Sequence, residues 1–221
     1  MINIERWIWS VGIALAVLAA QPAQTADQAK LPAIPKTGKS LKDFVPASWT
    51  SLKQAPGDLN TDSLPDLAVV LKSAAEDKDE GGGAETSRLL LILFGTKDGG
   101  YTLAASSAKA VLCKGCGGVF GDPFAKLGIE RGALVIEHYG GSSERWGYTH
   151  RWRYQGGDFL LIGLTTRSDD TRTGALEVKD ENLVTDVRVV DRTDADGKSS
   201  KTRERVPAKP LQKLSAFTFE P

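Results

Sequence analysis

Leu67-Ala68-Val69-Val70-Leu71 and Leu89-Leu90-Leu91-Ile92-Leu93-Phe94 are continuous apolar runs of five and six residues, each bounded by polar turn residues. Runs this short suit buried strands better than helices, which need more length. Between them, Ala75 to Thr86 is acidic and glycine-rich and reads as a long solvated hairpin loop. Further strands are predicted at Tyr101 to Ala105, Ala110 to Leu112, Ala133 to Tyr139, Trp146 to Tyr154 and Phe159 to Thr165. They are punctuated by Gly99-Gly100, Gly140-Gly141 and Gly156-Gly157, pairs that supply the positive φ angles of tight turns. Near the end, Leu183 to Val190 and Lys201 to Val206 flank the turn signal Asp194-Ala195-Asp196-Gly197. No convincing amphipathic helix interrupts the series. The class predicted is all-β, a compact sandwich or barrel-like arrangement of antiparallel sheets.

The 221 residues are 41% hydrophobic and 25% charged, and 28 basic side chains balance 28 acidic ones. A net charge of zero gives no global field for nucleic acid or an anionic membrane, so neither partner is expected. The chain opens with Arg6 and an apolar run from Ile8 to Ala20, followed by small residues at Ala19, Ala20, Ala23 and Ala26. The run is shorter than the ~20 residues a spanning helix needs, so residues 1–26 read as a signal peptide cut after Ala26. Residues 27–45 mix Gln, Lys, Pro, Thr and Ser without apolar periodicity and read as a tether leading to a single domain at 46–221. The expectation is a periplasmic or secreted protein with no integral membrane segment after processing.

The only cysteines, Cys113 and Cys116, stand in Cys-Lys-Gly-Cys. In an oxidising compartment a local disulfide is the first reading. A thioredoxin-like site would start a helix after a strand, whereas this pair runs into Gly117, Gly118, Val119, Phe120, Gly121, Asp122 and Pro123, which is turn chemistry. A structural zinc site is the third alternative, with His138 and His150 the only further soft donors.

The sharpest motif is Gly57-Asp58-Leu59-Asn60-Thr61-Asp62-Ser63-Leu64-Pro65-Asp66. Asp58, Asn60 and Asp62 place oxygen donors at every second residue, Asp66 follows four positions on, and the Leu64 carbonyl is a further candidate. Such spacing lets a curled loop aim its donors at a hard cation such as calcium, which takes about six to eight oxygens. The twelfth position, glutamate in an EF-hand, is Val69. The alternative is an Asx-rich turn held by local hydrogen bonds. Together with Leu67 to Val70 and Leu91-Ile92-Leu93-Phe94-Gly95, the motif resembles one FG-GAP repeat, the unit of integrin-type propellers and many VCBS-repeat proteins. The likeness covers residues 57–103 and implies calcium ligation by Asp58, Asn60, Asp62 and Asp66. Where the family has a loop glycine this chain has Ser63, and a non-glycine residue held in the left-handed region costs about 1 kcal/mol. Only one such unit is visible, so one blade-like hairpin is expected and a full propeller is not. With its Cys-Lys-Gly-Cys, Gly-Asp-Pro-Phe and His-Tyr-Gly-Gly-Ser-Ser segments, the chain is also similar to a group of exported bacterial proteins, a likeness that implies location and no activity.

From Arg145 to Tyr154 the alternation is strict. Trp146, Tyr148, His150, Trp152 and Tyr154 share one face, and Arg145, Thr149, Arg151 and Arg153 share the other. The aromatic face reads as core, with a ligand platform for sugar rings or peptide prolines as the alternative. No nucleophile-elbow pattern accompanies His138, His150, Ser142 and Ser143, and no catalytic residue is assigned. The function expected is a non-enzymatic extracytoplasmic binding or interaction protein, with a calcium-stabilised loop and a protein or glycan of the cell envelope as partner. The alternatives are a secreted enzyme acting on cell-wall or polysaccharide material and a periplasmic thiol-disulfide protein.

Overall fold

The computed structural model describes residues 31–78 and 87–219; the expected signal peptide, residues 27–30 of the tether and residues 79–86 of the expected loop lie outside them. The two apolar runs are neighbouring antiparallel strands, β3 (Asp66–Ser73) and β4 (Leu89–Gly95), with Leu67 opposite Leu93 and Leu71 opposite Leu89. With β1 (Thr37–Gly38), β2 (Trp49–Gly57) and β5 (Tyr101–Ser107) they form a five-stranded sheet in the order β1-β5-β4-β3-β2. A second sheet has seven strands: β6 (Phe124–Glu130), β7 (Ala133–Gly141), β8 (Glu144–Gln155), β9 (Asp158–Asp170), β10 (Ala175–Asn182), β11 (Val187–Thr193) and β12 (Ser199–Arg205). These follow one another as an antiparallel meander. The two sheets are not closed into a barrel, and the architecture is a sandwich.

Val70, Ile92 and Ala68 of the first sheet meet Leu134, Ile136 and Trp152 of the second in the main core. The opposite face of β3 and β4 carries Leu67, Val69, Leu71, Leu89, Leu91 and Leu93, and these pack with Phe44, Ile34, Leu41, Val45 and Trp49. A strand buried on both faces has no polar side to alternate, which is why its sequence is an unbroken apolar run. The cover comes from the segment expected to be a tether. Residues 37–38 pair with β5, Leu41–Phe44 is a 3-10 turn, and Phe44 is fully buried.

Three expected elements are corrected. Ala110 to Leu112 is not a strand; Ala110 and Val111 are core plugs in the connection after β5. Leu183 to Asp186 forms a turn, so the terminal hairpin is β11–β12 and is preceded by the unforeseen β10. The segment after β3 opens with a one-turn helix, α1 (Ala74–Lys78), whose Glu76 is buried. β2 and β6 were masked in the sequence by mixed polar residues and are identified by their pairing with β3 and β7.

The outer part of the seven-stranded sheet has little apolar cover. Across β10, β11 and β12 only Val190 is buried, and every residue of β12 is exposed. Cross-strand ion pairs line one face instead: Arg188 with Glu181 and Glu204, and Arg192 with Glu177.

Candidate functional site

The connection between β5 and β6 holds the two cysteines. They form the expected disulfide, and Cys113 is buried at the start of a four-residue 3-10 turn, Lys114–Gly117. So short a turn provides no helix dipole with which to depress a thiol pKa. Beyond it the chain reverses sharply. Gly117 N donates to the Gly121 carbonyl at 2.8 Å, and Gly121 N donates to the Gly118 carbonyl at 3.0 Å. The loop is also tied to the β7–β8 turn, where Val119 N donates to the Gly141 carbonyl at 3.1 Å and Gly118 bridges Gly141. This close approach requires glycine. A Cβ on Gly118, whose φ is +66°, would lie 2.9 Å from the Gly141 oxygen.

The product is a fixed tip that presents apolar side chains to solvent. Val119 is 83% exposed and Phe120 46% exposed. The Phe120 ring is propped by Tyr139, with ring centroids 5.5 Å apart, and by the Arg145 guanidinium, 5.1 Å from the ring centre. At the far end of the tip, Asp122 accepts a two-pronged ion pair from Arg88, at 2.8 and 2.7 Å. Arg88 is itself fully buried and makes a second two-pronged pair with Glu76, at 3.0 and 2.8 Å. The tip is therefore braced by a disulfide on one side and a buried arginine on the other. Sequence reasoning missed both Arg88 and the exposed pair. A lone arginine before an apolar run carries no signal, because its partners lie 12 and 34 positions away.

The oxygen-rich loop between β2 and β3 has a different character. Asp58 accepts the amides of Thr61 and Ser63, Asn60 accepts that of Asp62, and Asp62 accepts that of Leu64. Asp66 is buried and accepts Leu59 N at 2.7 Å and Gly95 N at 2.9 Å. Burial pushes its carboxyl up, against the pull of those two amides. Thr61 and Ser63 both take positive φ, +65° and +66°, so the serine does sit in the left-handed region. Among the described residues no three His, Cys, Asp or Glu side chains are grouped to hold a metal ion. In this arrangement the loop oxygens are engaged by backbone amides.

The aromatic face of β8 lies against the core. Trp152 has no exposed surface, His150 is buried, and Tyr148 and Tyr154 pack on the main cluster. Residues Phe217 and Phe219 of the C-terminal segment lie over it: Phe217 stands edge-on to Trp152 at 4.9 Å, and Phe219 to Tyr148 at 5.1 Å. Trp146 remains half-buried beside Gly140. Burial holds the imidazole of His138 down at about 3, helped by His150 and Arg88, and holds that of His150 at about 4. His138 Nε2 accepts Leu112 N, and among the described residues neither histidine bonds a serine. Both imidazoles are neutral above these values, but the Phe217 and Phe219 rings packed on them deny the access a general base needs.

Among the described residues no helix is long and apolar enough to cross a membrane. Compared with known proteins, the chain matches no family model, no curated protein and no solved structure.

Proposed function

We propose that this is a non-enzymatic extracytoplasmic interaction protein that docks a partner protein of the cell envelope with its Val119–Phe120 tip. The observation that carries the reading is the 83% exposure of Val119 on a loop that is cross-linked, hydrogen-bonded and braced by an ion pair. A mobile loop could fold such residues away, whereas this one holds them in water. Aromatic and arginine anchors fixed before binding lose little entropy on association, which is the pattern of interface hot spots. The features that would favour the alternatives weigh less: Cys113 is buried, against a thiol-disulfide role, and the aromatic strand is covered, against a glycan-processing cleft there.

The test is a pull-down from the envelope fraction of expressing cells with wild type and with Val119→Ser/Phe120→Ser. A single protein recovered by wild type and lost with the variant is expected, with circular dichroism and melting temperature unchanged. Equal recovery by both chains removes the tip from the interface, and retention on polysaccharide alone would favour the glycan reading.

Calcium enters this proposal only as a stabiliser of the Asp58 to Asp66 loop. To bind it, Asp58 and Asp62 must turn away from the amides of Thr61, Ser63 and Leu64. Preferential binding to the folded state would raise the melting temperature as calcium is added, and Asp62→Ala should abolish the rise. Identical melting in chelator and in millimolar calcium would leave the loop as a hydrogen-bonded turn.

A further inference from the structure

The outer face of the seven-stranded sheet, which the main core does not use, carries a cleft of about 570 Å³. Strand register builds it. Ala133 lies opposite Arg153 and Val135 opposite Arg151, so two small apolar side chains form a floor flanked by two guanidinium groups. Gly163 faces Arg151 across β9 and adds no side chain to fill the space. A third guanidinium, Arg131, reaches the same cleft from the β6–β7 turn.

Each acidic group at its walls has a partner within the sheet. Glu130 is held by Lys126 at 2.7 Å, Glu181 by Arg188 at 2.5 Å, and Asp180 accepts the Thr165 hydroxyl at 2.7 Å while lying 3.8 Å from Arg151. Arg131 and Arg153 have no hydrogen-bond or ion-pair partner among the described residues. Neither is tied to one acid by a short contact, although Arg131 lies near enough to Glu130 to lower its carboxyl pKa, and both guanidinium groups border the apolar floor.

The backbone supplies an independent observation. Arg131 has φ +53° and Gly132 φ +73°, the angles of a two-residue hairpin turn in which both positions are left-handed. Asparagine, aspartate or glycine is preferred at the first position, and a long side chain there is strained. A strained residue whose side chain reaches a cleft points to a role for that side chain.

We infer that this cleft binds the oxyanion of a small ligand, a carboxylate or a phosphate, between Arg131 and Arg153, with the ligand's less polar part resting on Ala133 and Val135. The guanidinium fork matches either oxyanion with paired charged hydrogen bonds. Asn182 adds an amide NH₂ at the wall, since its carbonyl oxygen already accepts Val184 N and Thr185 N. The site uses none of the residues assigned to the tip.

The experiment is calorimetric titration of the full chain with D-galacturonate and with inorganic phosphate at low salt, using D-galactose as the uncharged control. Binding of at least one oxyanion and none of galactose is expected. Galacturonate alone would identify a carboxylated ligand, and phosphate alone a phosphorylated one. Arg153→Gln and Arg131→Gly should each weaken binding by about tenfold or more, the loss typical of one charged hydrogen bond. Arg131→Gly should meanwhile keep or raise the melting temperature, because glycine takes this φ without strain. No heat with either oxyanion, equal binding of galactose, or undiminished binding by the double variant would overturn the assignment. So would a lowered melting temperature with unchanged affinity in Arg131→Gly, which would make that residue purely structural.

Discussion

Trp152→Ala is expected to lower unfolding free energy by about 3 to 5 kcal/mol, as removal of a large buried aromatic typically does. Trp152 has no exposed surface and lies opposite Leu134 of β7 and beside Phe217 of the C-terminal segment, in the cluster that joins the two sheets. Its loss removes the edge-on contact with Phe217 and leaves a void that close-packed strands refill only in part. One factor acts the other way. Its Nε1 is buried without a hydrogen-bond partner, so truncation also removes an unsatisfied donor. The void dominates because it involves the whole indole. Arg153→Ala, on the opposite face of the same strand and exposed, should change stability by about 0.5 kcal/mol or less. Chemical denaturation decides between the faces. A Trp152→Ala protein with the wild-type midpoint would show that the aromatic face is not structural core.

Arg88→Met is the second large effect. Removing one member of a buried ion pair costs about 3 to 5 kcal/mol, because the remaining charge is left without compensation. Here that charge is Glu76, which is almost fully buried, whereas the Asp122 side chain is 40% exposed and returns to water. The loss therefore belongs mainly to the Glu76 side. Arg88→Met/Glu76→Gln removes both buried charges and should recover a large part of the stability. The freed Asp122 should also make the tip more susceptible to proteolysis between Lys114 and Gly121. Unchanged stability in Arg88→Met, or a double variant no better than the single one, would contradict this account.

The fold was legible where side-chain pattern and burial coincide. β3, β4, β7 and β8 declare themselves by apolar runs or strict alternation, and the aromatic face of β8 lies on the core side that its periodicity implied. β2, β6 and β10 did not, because a strand can be held by ladder hydrogen bonds while its side chains remain mixed. The N-terminal cover was misread for a related reason. Leu41, Phe44 and Val45 follow no period, since they pack from a 3-10 turn and irregular chain. Of the candidate sites, the Cys113–Cys116 link could be read from spacing together with the expectation of export. The tip could be read as a turn, but its exposure and its Arg88 brace depend on contacts far apart in sequence. The oxygen pattern of residues 58–66 was visible too. Sequence alone could not decide whether those oxygens face a cation or the loop's own amides, since both uses favour the same residue types.

The row of ion pairs across β10, β11 and β12 gives the molecule a graded rather than uniform cooperativity. Opening of β12 exposes almost no apolar surface and breaks mainly ladder hydrogen bonds and screened charge pairs. Detachment of β8 would uncover Trp152 and disrupt the whole core. Excursions from the native state can therefore peel inward from the chain's last strands, one hairpin at a time, while the sandwich stays closed. The outer strands form a sub-global unit held mainly by ladder hydrogen bonds and tuned by ionic strength, and the inner sheets form one held by burial.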